Sequence, residues 1–268
     1  MTDKNEISNL VNNDLLMVIL ELKNISDQHS SESNLNENII KHVLSIPGKQ
    51  LRPSLTIICS KIWKENVDEK VIKMATAVEL LHIATLVHDD TVDFAETRRG
   101  AKTASSIWGP HIAVLVGDFL FATSAEYVCE TESVRLIKQF ASTISDLAKG
   151  ELKEIENSGH INLNIKDYID VVFKKTGSLF ATSSMSGALL GGANEEDVNT
   201  KLISILGEKF ETYRKKWDQV NLFELDNLVL NNEICISSHI SAIHKYRLFN
   251  ISHLNIQNDI ASMKEVIR

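Results

Sequence analysis

An all-α fold, built as one helical domain, is what this sequence predicts. Three observations carry the prediction. Apolar residues recur at i, i+3, i+4 and i+7 over most of the chain. Only three prolines interrupt 268 residues. No segment alternates convincingly with the period of two that a half-buried strand requires, residues 233–240 being the one ambiguous stretch. With 43% hydrophobic residues the chain can bury a substantial core. Helices packed on helices cover such a core.

The elements follow in order. Residues 7–25 place Ile7, Leu10, Val11, Leu15, Val18, Ile19 and Leu22 at helical spacing. The polar, serine-rich run 26–36 reads as a loop. Residues 39–46 form a second helix, stopped by Pro47-Gly48. A third starts near Pro53, since proline suits the first helical turn. Long helices are expected over 71–93, 113–126 and 134–156. Two more follow over 165–190 and 195–209, separated by a break at Gly191-Gly192. No internal repeat and no clear linker divides the chain.

Composition narrows the function. A net charge of −8 argues against a general nucleic-acid binder, so local Lys/Arg clusters read as sites. Cys59, Cys129 and Cys235 are far apart, which excludes a CxxC metal site and fits a reducing compartment. The first residues carry neither an apolar signal core nor an Arg-rich transit character. No apolar run reads as long enough to span a bilayer. These features fit a bacterial cytoplasm, or a plastid stroma if the chain is organelle-encoded.

The chemistry concentrates in His88-Asp89-Asp90-Thr91-Val92-Asp93, followed by Arg98-Arg99-Gly100. At about 100° per residue, His82, Thr85, Asp89 and Asp93 share one stripe of a helix whose other directions hold Val78, Leu81 and Leu86. Mg²⁺ takes hard oxygen ligands, commonly one or two carboxylates plus substrate phosphate. Asp89 and Asp93 fit as ligands, with Asp90 as an outer acceptor. The alternative is a solvated acidic helix end with Asp93 paired to Arg98. Gly48-Lys49-Gln50-Leu51-Arg52-Pro53 joins a turn, two cations and a helix start, a combination suited to phosphate. It is also compatible with an ordinary turn bearing exposed cations. Lys174-Lys175-Thr176-Gly177 shares that ambiguity. Together the clusters flank one carboxylate helix.

In this order the motifs resemble the trans-isoprenyl diphosphate synthases, in the style of the long-chain, solanesyl-type enzymes of cyanobacteria and plastids. The likeness rests on Gly48-Lys49 with Arg52-Pro53, Glu79-Leu80-Leu81-His82, Leu86 to Asp93, and Arg98-Arg99-Gly100. It continues through Val114 to Leu120, Gly150-Glu151 and Lys175 to Leu179. It implies an isoprenoid-synthase bundle around a deep central apolar cavity, usually as a homodimer. Asp89 and Asp93 would bind Mg²⁺ bridging to an allylic diphosphate, with Arg98 and Lys175 contacting that diphosphate and Thr176 near the allylic group. Lys49, Arg52 and Arg99 would hold the diphosphate of isopentenyl diphosphate, with His82 and Gly48 beside it. The implied reaction condenses the two diphosphates into a long all-trans polyprenyl diphosphate. Ala84 and Thr85, small where short-product members carry bulky aromatics, imply a long product tunnel.

The family's second aspartate motif has no counterpart here. Asp89-Asp90 is the only Asp-Asp pair, and residues 208–268 do not follow the family pattern. The expected division is therefore a synthase-like domain over 1–207 and a divergent tail over 208–268, with an amphipathic helix near 222–230. A shifted reading frame near 200–210 is one account of that tail. A catalytically impaired or regulatory partner subunit of a heteromeric synthase is the other. A terpene cyclase shares the carboxylate helix, but it has no use for Lys49 and Arg52.

Overall fold

The computed structural model describes residues 4–28, 34–46, 48–157, 165–194 and 198. The helices expected over 195–209 and near 222–230, and the division at 207, lie outside them. The chain divides into two compact units, Met1–Ile144 with Leu179–Leu202, and Ser145–Ser178 with Ile203–Arg268.

The first unit is helical almost throughout. It contains α1 (Lys4–Gln28), α2 (Asn34–Ser45), α3 (Leu51–Lys61) and α4 (Glu69–Val92), then α5 (Ala104–Trp108) and α6 (Pro110–Cys129). α7 (Val134–Asn157) begins in this unit, and α9 (Ser178–Gly191) belongs to it from Leu179 onward. α4 is the central element and packs on α6, α3 and α1. Met74, Val78, Leu80, Leu81 and Ala84 are wholly buried along it. Each large side chain among them contributes about 1.5–3 kcal/mol by leaving water. α1 turns Val11, Val18, Leu22 and Ile25 inward, the spacing of one helical face.

Two expectations need correction. α4 and α6 are each long and apolar enough to cross a membrane by length and composition, contrary to the sequence reading. In α4 the apolar character serves a core, since 67% of its apolar window is buried; in α6 only 39% is. The second correction is a two-stranded antiparallel ribbon, β1 (Thr97–Arg98) with β2 (Ala101–Lys102), paired Thr97 to Lys102 and Arg98 to Ala101. Strands of two residues are too short to show alternation. α5 was likewise unforeseen; Thr103 caps it, accepting a hydrogen bond from the Ser106 amide at 3.1 Å.

α4 and α6 meet through one notch. A Cβ on Gly117 would stand 2.1 Å from His88 Nε2, so the His88 ring occupies the space that glycine leaves. There the ring stacks on Phe121 and its Nε2 donates to the Val114 carbonyl at 3.1 Å.

In the second unit, α8 (Ile165–Val172) leads into a π-helical turn, Phe173–Gly177. The sequence suggested one continuous helix over this run. Such turns widen a helix by one residue and recur at functional positions.

Candidate active site

The end of α4 is closed by a left-handed residue. Phe94 has φ 53°, and the Ala95 amide donates to the Asp90 carbonyl at 2.9 Å, a Schellman closure. The Asp93 amide donates to the Asp89 carbonyl at 2.8 Å, so these two residues stand one turn apart at the last turn. Asp89 is half-buried and Asp93 exposed. Asp90 points elsewhere: it is 5% exposed and accepts from Arg98 Nε and Nη2, each at 2.7 Å. The carboxylate that pairs with Arg98 is thus Asp90, not Asp93. This fork raises the Arg98 pKa first by hydrogen bonding and then by the charges of Asp90, Asp89 and Asp93, against its burial.

The ribbon sends its two arginines in different directions. Arg99 and Gly100, at φ 52° and 82°, form the two central positions of the tight turn. Positive φ at both is the type I′ pattern that matches strand twist. Arginine in that region is strained and persists where its surroundings fix it. His42 of α2 is one anchor, its Nε2 donating to the Lys102 carbonyl at 2.8 Å while its ring meets Trp108 edge-on. Arg98 reaches back to α4; the Arg99 guanidinium reaches Gly48, where a Cβ would stand 2.8 Å from Nη1.

Two to three turns earlier on α4 lies a second charged group. Glu79 is 5% exposed, and its Oε1 would lie 3.3 Å from the same missing Gly48 Cβ. Burial raises its carboxyl above the usual range, while Arg52 and Arg99 oppose that rise. The Arg52 guanidinium sits 4.4 Å above the Phe180 ring, and its Nε is fully shielded with no hydrogen-bond partner. Burial pulls Arg52 down to about 10, Glu79 opposing and Arg99 adding to the fall. His82 is held well below its usual value, first by burial and then by Arg52, Arg99 and Arg98. It is therefore a neutral imidazole near neutral pH, able to donate one hydrogen bond beside a concentrated positive field. Lys49 lies on the exposed segment between α2 and α3.

Of the predicted residues, the first unit thus contains Arg52, His82, Asp89, Asp93, Arg98, Arg99 and Lys49. Lys175 and Thr176 belong to the second unit, in the π-helical turn. There Lys175 pairs with Glu151 at 2.7 Å and with Glu154. These carboxylates raise its pKa although burial opposes them. Gly150 permits this arrangement, because a Cβ there would stand 2.8 Å from the Lys175 backbone nitrogen. Ala84 is wholly buried. A cavity of about 520 Å³ opens at the start of α7, lined by Val134, Arg135, Lys138 and Gln139, and none of the candidate residues lines it.

Two contributors escaped the sequence reading. Glu79 belongs to the motif that ends at His82 but was given no role. Phe180 gave no signal. Among the described residues, no group of three or more His, Cys, Asp or Glu forms a protein-only metal site. Two carboxylates one helical turn apart suit instead a hard cation that arrives with a diphosphate.

Comparison with known proteins agrees with this geometry. A family model described as polyprenyl synthetase matches residues 33–213. A prenyl transferase of Cyanophora paradoxa is 39% identical over 152 residues, 56% of this chain and 47% of that protein. A nonaprenyl diphosphate synthase of Mycobacterium tuberculosis is 34% identical over 174 residues, 63% of this chain and 51% of that protein. The chain spans about half the length of these curated relatives. A polyprenyl synthase of Caulobacter crescentus, solved with calcium and isoprenyl diphosphate, superposes with TM-score 0.67 at 33% identity, covering 73% of this chain and 58% of that one. The fold is accordingly of the isoprenoid synthase type. With a family model spanning most of its length and the motif residues gathered on α4 and the ribbon beside it, the chain belongs to the polyprenyl synthetase family.

Proposed function

We propose that this chain is a prenyltransferase that condenses isopentenyl diphosphate with an allylic diphosphate into a long all-trans product. The observation that carries the reading is the division of labour along α4. Arginines 52 and 99 crowd one turn around His82, and Asp89 and Asp93 stand at the helix end. One end suits a bare diphosphate and the other a metal-bound one.

In this reading Lys49, Arg52 and Arg99 bind the isopentenyl diphosphate, with neutral His82 donating beside them. Asp89 and Asp93 would hold Mg²⁺ with the allylic diphosphate, and Mg²⁺ supplies neutralisation of charge growing on the leaving diphosphate. The Caulobacter protein, solved with calcium and isoprenyl diphosphate, supports a divalent cation acting together with a diphosphate. The allylic C–O bond breaks, the isopentenyl double bond attacks the resulting cation, and a proton leaves to the released diphosphate. Arg98 acts chiefly by fastening Asp90, which keeps the last turn of α4 in place. The resemblance alone assigns Lys175 to the allylic diphosphate, Thr176 to the neighbourhood of the allylic group, the apolar cavity to the growing chain and a second copy of the chain to the assembly.

The test is a product assay with Mg²⁺, labelled isopentenyl diphosphate and a farnesyl or geranylgeranyl primer. Elongated product that vanishes in Asp89→Ala is expected. A second reading, a partner subunit of a heteromeric synthase, draws support from the missing second aspartate motif. It predicts no product from the chain alone, and a changed product length when the chain is added to a competent synthase.

A further inference from the structure

The turn of α4 that carries His82 also buries a carboxylate, and the reaction gives it no part. Glu79 lies one turn before His82, where a charge is otherwise out of place among Ala77, Val78, Leu80 and Leu81. A buried carboxylate persists when a cation answers it. Two do here. Glu79 interacts with both Arg52 and Arg99, and these arrive from different elements, α3 and the turn of the ribbon.

We propose that Glu79 is a positioning residue: it fixes the Arg52 and Arg99 guanidiniums in one orientation, so that the pair forms a preset fork for a substrate diphosphate. The inference rests on the reading of this cluster as the isopentenyl diphosphate site. Three features favour it. The Arg99 Nη1 and the Glu79 Oε1 converge on one point, the position a Gly48 Cβ would occupy, at 2.8 and 3.3 Å. Glycine at 48 therefore leaves room for that meeting. Arg99 is held on a left-handed backbone, so its side chain leaves the turn along a restricted path. Arg52 is bedded on Phe180, yet its shielded Nε lacks a hydrogen-bond partner. Packing and charge, not a completed hydrogen-bond set, hold it.

The sign of the effect separates positioning from simple charge. Removing a negative charge from a cationic site strengthens anion binding if nothing moves. Loss of positioning weakens it. The experiment is calorimetric titration of Mg²⁺-free isopentenyl diphosphate, with inorganic diphosphate as a second probe, into the wild-type chain, E79Q, R99Q and the double variant. E79Q is expected to bind about tenfold more weakly, and the E79Q effect to shrink to about twofold in the R99Q background, since residues acting as one unit are not additive. In steady-state assays the KM for isopentenyl diphosphate should rise while kcat holds. Binding by E79Q as tight as wild type or tighter, or effects that multiply in the double variant, would overturn the proposal. If E79Q does not fold, Gly48→Ala carries the test, because its methyl group displaces the flexible end of Arg99; unchanged binding there overturns the proposal equally. A wild-type chain that binds neither probe would instead overturn the functional reading, and Glu79 positioning with it.

Discussion

Two turns of α4 carry charge, and they handle it in opposite ways. Around Glu79 and His82 the charges are mixed in sign and shared among three elements, with Glu79 buried, Arg52 half-buried and Arg99 exposed. At Asp89 and Asp93 they are of one sign and lie at or near the surface. A mixed cluster built on a buried carboxylate can set its geometry before any ligand arrives. Its cost is desolvation, visible in the lowered Arg52 and raised Glu79. A one-signed helix end is cheap to expose but repels itself, and it gains most when a cation joins. The comparison teaches that one helix can hold a preset anion site and a cation-dependent one within four turns, with Asp90 and Arg98 stapling the second.

The sharpest break of the comparison is Asp89→Ala. It should lower product formation on the order of a thousandfold, as loss of a metal clamp on a leaving group does, while changing unfolding stability by no more than about 0.5 kcal/mol. A large loss of stability measured by urea unfolding would mean that Asp89 is structural. Asp90→Asn is the converse. It strips the buried partner from the Arg98 fork and should cost about 3 kcal/mol, the lower end for a broken buried pair because Arg98 is partly exposed. Gly117→Ala forces the His88 ring from its notch and should cost about 1–3 kcal/mol by overpacking. Ala84→Phe is expected in the same range for the same reason, since Ala84 is wholly buried. The shorter product that the family resemblance implies for this variant is read by chromatography of the elongated chains.

The smallest effect is a pH slope. The His82 pKa is depressed in the folded chain, so the unfolded state takes up its proton first. The stability this gives is complete above the ordinary histidine value and is lost as pH falls toward the folded value. Below about pH 6.5 the loss from this residue should reach about 1.4 kcal/mol per pH unit. His82→Gln should flatten the dependence of stability on pH between about 6.5 and 5 by one proton's worth. An unchanged slope would show that another group titrates there.

Most helices were legible because each has an uninterrupted apolar face. Residues 134–156 were expected and Val134–Asn157 is observed; 71–93 became Glu69–Val92. What was missed is short or non-periodic. The ribbon and α5 offer too few residues for a period, and the π-helical turn at Phe173–Gly177 keeps its neighbours helical, so the sequence shows no break. At the site, the residue types and their order were readable, but the pairing was not. The alternative reading paired Asp93 with Arg98, whereas the chain reverses at Phe94 and brings Arg98 to Asp90. Glu79 shows the same limit. A charge in an apolar run announces a partner, but only the folded chain says which.

Arg98 and Arg99 are chemically identical side chains with different tasks, and their place in the ribbon tells them apart: Arg98 ends β1 and Arg99 opens the turn. A two-residue turn fixes the count of residues along the ribbon. Removing one residue between Phe94 and Thr97 would bring Arg99 to the place that Arg98 holds beside Asp90 without altering any side chain of the ribbon. The ribbon therefore works as a length gauge: it stores, in six residues, which guanidinium anchors the protein to itself and which is turned toward Gly48.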